Sequence, residues 1–260
     1  MPTNSETNTR RQYYPRGLNQ PEGSFRFSID ALLLAAFSDP SPKSRILDLG
    51  CGCGVVGLGI LFNRPEAEAT GIDIEPELIA CAQENAQMLG LGEKYQAMTL
   101  DLKKISKSCL KPEFFDAVVS NPPFRRKNQG RLPQQEMRTG ALFESNASLE
   151  DFIKAATFAL KNQGAFYCIF SSERLAELFF LLQKYKLEPK LLQPLQAREH
   201  KECGLILLKA VKNGRPGLKL KAPILIYELG KEGTQPSLTE EILKFCPWLS
   251  CNAKHGVKTG

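Results

Sequence analysis

Residues 45–61, RILDLGCGCGVVGLGIL, constrain this chain more than any other stretch. Ile46, Leu47 and Leu49 make a short apolar run suited to a buried parallel strand. Asp48 belongs to the turn that follows, where Gly50, Gly52 and Gly54 let the backbone bend tightly and approach a ligand without Cβ atoms in the way. Val55, Leu58 and Leu61 then recur at helical spacing, so a helix begins near Gly54. Strand, glycine turn and helix in this order can hold a nucleotide-like cofactor or serve as a purely structural βα turn, and neighbouring segments must decide between the two.

The alternation repeats downstream. A second strand is predicted from Ala69 to Ile74, with Asp73 near its end and 25 residues after Asp48. An open α/β sheet places an acid there that accepts hydrogen bonds from two ribose hydroxyls, one per carboxylate oxygen. Pro76 suits the first turn of the next helix, whose buried face carries Leu78, Ala82 and Leu89. A third strand, Tyr95 to Leu100, leads to Asp101, an acid able to accept from an adenine amine or to cap a helix. Lys103, Lys104, Lys107 and Lys111 read as solvated surface.

The sharpest signal is FFDAVVSNPPF, residues 114–124. Phe115, Ala117, Val118 and Val119 form a fourth buried strand, and Asn121, Pro122, Pro123 and Phe124 leave it at the edge that carries the glycine turn. Two adjacent prolines donate no amide and cannot continue a central ladder, while their fixed dihedrals hold the neighbouring carbonyls in place. The Asn121 side-chain oxygen and the Pro122 carbonyl are suited to accept the two hydrogens of a planar amine, with Phe124 stacked on the group that bears it. An amine conjugated to an aromatic ring is a poor nucleophile, and two oriented acceptors favour the pyramidal form that attacks a methyl group. A rigid proline turn is the competing interpretation.

These segments together resemble class I methyltransferases that use S-adenosylmethionine, in the amino-methylating group marked by Asn-Pro-Pro-aromatic. Within that group the chain is similar to the valine-tRNA adenine N6-methyltransferases that act at position 37, through FRFSIDALLLAAF, LDLGCGCG, GIDIEP, VVSNPPF and HKECGLILLKAVKNGRP. The resemblance implies an α/β, Rossmann-like fold with a mostly parallel seven-stranded sheet and an antiparallel closing hairpin. It places Asp48 and the Gly50, Gly52 and Gly54 turn around the methionine part of the cofactor, Asp73 on its ribose hydroxyls and Asp101 at its adenine amine. Asn121, Pro122 and Phe124 match the amine-positioning motif, and Asn121 also borders the cofactor. The same signature occurs in enzymes acting on DNA adenine, on rRNA bases and on a release-factor glutamine, so N5-methylation of that glutamine, or N6-adenine methylation of rRNA or DNA, is the alternative. Enzymes of the last kind carry a helical recognition domain before the catalytic one, whereas 44 residues precede Arg45 here.

The remaining segments are read around this core. Residues 1–20, with Arg10, Arg11 and Arg16, are expected to be a flexible basic arm. Residues 21–44 are expected to form a cap, with Phe25, Phe27 and Ile29 alternating as a short strand before a helix from Asp30. Residues 45–211 form the catalytic core and 212–260 a C-terminal extension. Arg125, Arg126, Lys127, Arg131 and Arg138 are candidates to hold an RNA backbone while the target base leaves its stack. Ser148 and Asp151 form a helix start ahead of Leu149, Phe152, Ile153, Ala156 and Leu160. A fifth strand is expected from Ala165 to Phe170, a helix capped by Ser172, and a hairpin of Pro189 to Leu195 with Cys203 to Ala210. His200 lies between the hairpin strands as a surface or RNA-contacting residue. Lys212, Arg215, Lys219 and Lys221 either join the substrate face or line a solvated loop.

The net charge of +6 is compatible with a tRNA partner without requiring one. Eight scattered cysteines point to free thiols in a reducing cytoplasm, and no run is long enough to span a bilayer. Cys246, Cys251 and His255 are a poor tetrahedral set, so no metal is expected, and no obligate protein partner is indicated.

Overall fold

The computed structural model describes residues 14–21, 27–122, 147–228 and 236–252. The chain alternates α1 (Ile29–Phe37), β1 (Arg45–Leu49), α2 (Val55–Asn63), β2 (Glu68–Asp73), α3 (Pro76–Met88), β3 (Tyr95–Thr99) and β4 (Phe115–Ser120). It continues through α4 (Leu149–Ala159), β5 (Leu160–Ser171), α5 (Leu175–Lys184), β6 (Leu187–Gln196) and β7 (Cys203–Lys212). Two-residue strands β8 (Lys219–Leu220) and β9 (Ile224–Leu225) follow, then β10 (Tyr227–Glu228), β11 (Ser237–Leu238) and α6 (Glu240–Phe245).

Among the described residues the main sheet has the order β3-β2-β1-β4-β5-β7-β6-β8, with β9 also on β6. The seven expected strands form its body; β8 and β9 extend its far edge. Every pairing from β3 across to β5 is parallel, and β7 alone runs against its neighbours β5 and β6. The order reverses between β1 and β4, which opens a crevice at the C-terminal ends of those strands. Ile46, Leu47, Leu49, Val118 and Val119 are at most 1% exposed, as strands covered on both faces require.

Local chemistry explains most element boundaries. Ser148 and Asp151 form a reciprocal capping box that starts α4. Pro76 opens α3, which buries Ile79, Ala82, Asn85 and Ala86, while Leu78 is only half-buried. β5 begins at Leu160, five residues before the expected Ala165, because the pairing with β4 jumps from Phe115–Leu160 to Ala117–Ala165 across a bulge. Ser172 does not cap the following helix: it lies in a short 3-10 turn, and Arg174 precedes α5 without a side-chain cap. The expected strand around Phe25, Phe27 and Ile29 is also corrected. Ile29 is the first residue of α1, and the Ser28 hydroxyl accepts from the Asp30 amide; Phe25 lies outside the described residues.

The flanking segments are tied into the core. Leu32, Leu33 and Leu34 are fully buried, since α1 packs on α2 and is covered by α6 and the turn at Pro247–Asn252. The Cys246 thiol donates to the Leu32 carbonyl at 3.5 Å. Residues 14–20 of the segment expected to be flexible are docked: Tyr14 is 1% exposed and meets Phe62 and Trp248 edge-on. An aromatic ring among polar neighbours supplies the burial that composition alone concealed.

Lys212 also departs from expectation. It is buried at the N-terminal edge of the sheet, where its ammonium donates to the carbonyls of Thr157 at 2.7 Å and Leu160 at 2.9 Å and meets Glu113 at 2.9 Å. It therefore belongs to neither a solvated loop nor a substrate face. Lys212→Ala strands both carbonyls and should destabilise the protein by about 1–3 kcal/mol, measured by urea denaturation. Cofactor affinity, read at the opposite edge, should be unchanged.

Candidate active site

The glycine turn lies where β1 ends between its neighbours β2 and β4. Gly50, Gly52 and Gly54 all take positive φ, at 70°, 54° and 87°, a region costly for side-chain-bearing residues. The Gly50 and Cys51 amides both donate to the Ile72 carbonyl, at 2.9 and 3.0 Å, so the turn folds back over β2. A Cβ at Gly52 would meet nothing within 4 Å, which leaves open space beside the turn for a ligand.

Two buried acids hold the turn from beneath. Asp73 accepts the Gly52 amide on one oxygen at 2.9 Å and the Glu75 amide on the other at 3.1 Å. Asp48 accepts the Gly57 amide at 3.0 Å in the first turn of α2. Burial raises the pKa of Asp73 against the pull of its amide donors. Burial pushes Asp48 up to about 7, opposed by the Gly57 amide and assisted by the charge of Asp73. Burial also raises both thiols of the turn, Cys51 well above the ordinary range and Cys53 to about 12, so each persists as the poorly nucleophilic thiol.

Three supporting residues belong to none of the sequence motifs. Tyr95 lies under the turn and fills the space that side chains would need at Gly57 and Gly71, where an added Cβ would sit 2.6 and 2.4 Å from it. Asn85 is fully buried; its amide nitrogen donates to the Cys53 and Asn19 carbonyls, each at 3.0 Å, and its oxygen accepts the Asn19 amide at 2.7 Å. The Tyr14 hydroxyl donates to the Val55 carbonyl. Thus the N-terminal segment and α3 both grip the turn. The only hint in the sequence was an Asn at a position of α3 that the helical period assigns to the buried face.

The other candidate residues divide into two groups. The Leu100 amide donates to the Asp73 carbonyl at 2.8 Å, which brings Asp101 beside the end of β2. Asp101 caps a 3-10 turn by accepting the Lys103 amide at 3.0 Å, the alternative its sequence context offered. On the other side, Leu49 pairs with Ser120, whose hydroxyl donates to the Leu49 carbonyl at 3.1 Å. Asn121 and Gly50 are the next residues on these adjacent parallel strands, separated by about one strand spacing, roughly 5 Å. Asn121 is half-buried and Pro122 buried. Phe124, Arg125, Arg126, Lys127, Arg131 and Arg138 lie outside the described residues, as does His255. His200 is exposed on the turn between β6 and β7, also at this edge.

The methyltransferase small domain model matches residues 28–185, spanning α1, the glycine turn, both acids and Asn121. The chain belongs to the methyltransferase small domain family. It is a methyltransferase that uses S-adenosylmethionine as its cofactor, and the open, glycine-lined turn flanked by acids at successive strand ends fits that group. A protein of Porphyromonas gingivalis named tRNA1(Val) (adenine(37)-N6)-methyltransferase is 31% identical over 195 residues, covering 73% of this chain and 76% of its own length. A release factor glutamine methyltransferase of Bordetella pertussis is also 31% identical, over 121 residues, 43% of this chain and 41% of its own. In fold, the methyltransferase matches the crystal structure described as a predicted O-methyltransferase of Agrobacterium tumefaciens with a TM-score of 0.66 at 20% identity, over 84% of this chain and 96% of the other.

The raised pKa of Asp48 carries a stability consequence. In the folded state it holds a proton that the unfolded chain releases near pH 4, so stability should fall as pH rises from about 4 to about 7 and level off above. Asp48→Asn keeps an acceptor for the Gly57 amide and needs no buried charge. Its Tm without cofactor should exceed that of the parent by several degrees at pH 8 and match it near pH 4, as scanning calorimetry will read.

Proposed function

We propose that this methyltransferase modifies the exocyclic N6 of an adenosine in tRNA, at position 37 of valine tRNA. The observation that carries the reading is the register of β4 on β1, which sets Asn121 and Pro122 beside Gly50 at the mouth of the glycine turn. An amine held by Asn121 lies next to the part of the turn assigned to the cofactor's methionine end.

Bound S-adenosylmethionine supplies an electrophilic methyl group. Asp73 keeps unshared lone pairs on both oxygens after accepting two amides, and these serve the ribose hydroxyls. Asp101 spends one oxygen on its cap and has the other for the adenine amine. Asp48 and the Gly50, Gly52 and Gly54 backbone border the methionine part. The Asn121 oxygen and Pro122 carbonyl accept the two hydrogens of the target amine and favour its pyramidal form. Phe124 stacks on the flipped base, and Arg125, Arg126, Lys127, Arg131 and Arg138 hold phosphates around it. The methylated ammonium then loses its proton to solvent, so no protein base is required.

The tRNA reading is favoured over glutamine by extent of similarity. The relative named for tRNA shares 195 aligned residues with this chain, whereas the one named for release factor shares 121. Incubating the protein and labelled cofactor with tRNA, rRNA, DNA and release factor, followed by mass spectrometry, separates these substrates. N6-methyladenosine at position 37 is the expected product; transfer to glutamine alone would overturn the substrate assignment and leave the amine-positioning mechanism standing.

Two substitutions separate binding from transfer. Asp73→Ala should weaken cofactor binding by at least tenfold in calorimetric titration, with the circular dichroism spectrum retained. Asn121→Ala should retain cofactor affinity and lower kcat by about 2–4 kcal/mol in barrier, by analogy with losing one donor from an oxyanion hole. Full turnover by the Asn121 variant would remove that residue from the mechanism.

A further inference from the structure

Between Cys203 and Tyr227 the chain carries five cations and no acid. Lys212 is consumed by its buried contacts, which leaves Lys209, Arg215, Lys219 and Lys221. Among the described residues none of these four is in an ion pair. We propose that they form a second RNA-binding surface, a basic strip on the far edge of the sheet that holds phosphates of the stem adjoining the modified loop. The proposal rests on the tRNA reading above and concerns a surface remote from its catalytic residues.

Sheet register places the strip. Tyr167 pairs with Lys209, Lys209 with Leu191, and Leu191 with Lys219, so the four residues form one lateral row. Residues paired across strands share a face, which sets Lys209 and Lys219 on the same side of the sheet, two strands or about 10 Å apart. The Lys209 ammonium lies 5.4 Å from the Tyr167 ring centre, which orients its long stem. The Lys221 amide donates to the Leu192 carbonyl at 2.9 Å, extending the row by two residues. Arg215 is exposed on the connection into β8, with its carbonyl bound by the Lys190 ammonium. A backbone fixed at several points presents cations at set spacings, unlike a free loop.

The strip also has a direction. β8 and β9 run parallel to β6 from its middle at Leu191 to its end at Gln196, the edge on which Asn121 lies. Four strand spacings separate β8 from β4, about 19 Å, and the row of Lys219 runs through Leu191, Lys209 and Tyr167 to Val119, two residues or about 7 Å short of Asn121. The resulting separation of about 20 Å from Asn121 exceeds the reach of one nucleotide and suits a duplex stem leading away from its loop. Leu218 and Leu220, which alternate with Lys219 and Lys221 along this edge, are also exposed, at 43% and 70%. Lysines on such an edge would also discourage pairing with another chain, a role with different consequences.

The full-length triple variant Arg215→Ala, Lys219→Ala, Lys221→Ala distinguishes these roles. Binding of fluorescein-labelled valine tRNA is followed by anisotropy across about 50–250 mM KCl, and methyl transfer is measured in parallel. The variant should bind about tenfold more weakly at 100 mM salt and lose about 2 to 3 from the slope of log affinity on log salt. Its KM should rise for whole tRNA, its kcat and cofactor affinity should hold, and the two proteins should bind an isolated loop oligonucleotide equally. An unchanged slope and KM would overturn the proposal. So would self-association on gel filtration with RNA affinity intact, which assigns the lysines to edge protection, or selective loss of binding to anionic phosphatidylglycerol vesicles. A parent that binds tRNA with the steeper slope but methylates none of it would defeat the tRNA reading and support the strip.

Discussion

Two carboxylates buried beneath a turn of glycines set the terms for the whole structure. Asp73 and Asp48 satisfy three amides between them, at Gly52, Glu75 and Gly57, and thereby fix the path of the chain from β1 into α2. Taking such groups out of water is unfavourable, and the raised pKa of Asp48 records that cost. The turn is shaped for a ligand at the expense of the empty protein's stability, a compromise common at functional sites.

The surrounding elements reinforce the same few residues. Asn85 joins Cys53 to the N-terminal segment, Tyr14 reaches Val55, and Tyr95 fills the space left open by Gly57 and Gly71. On the opposite flank Ser120 ties the end of β4 to Leu49, so Asn121 inherits its position from a hydrogen bond one residue away. The glycine turn, the two acids and Asn121 are thus located by a continuous set of contacts through β2, β1 and β4. Parallel strands make this possible, because all three end at the same edge.

The far half of the sheet follows a different logic. β7 reverses direction, and this brings its C-terminal Lys212 to the N-terminal edge, where the carbonyls of Thr157 and Leu160 converge between α4 and β5. Neighbouring cations on the same connection remain exposed. One basic run therefore splits into a buried structural lysine and a surface strip, with sheet geometry making the division.

Much of this was legible in the sequence because the relevant physics is local. Glycines at alternating positions after the first strand, an acid at the end of the second, and Asn-Pro-Pro-Phe after the fourth are consequences of backbone sterics and hydrogen-bonding inventory, which need no knowledge of distant contacts. The strands, the alternating helices and the α4 capping box followed from the same rules. Tertiary structure decided what depends on partners far along the chain: that Asn85 meets Asn19 and Cys53, that Tyr14 anchors a polar segment, that Ile29 belongs to a helix buried under Cys246, and that Lys212 points inward. Composition could not separate Lys212 from Lys219, since both are lysines in one basic run. Only the pairing of β7 with β5 and of β8 with β6 determines which ammonium finds carbonyls and which finds water.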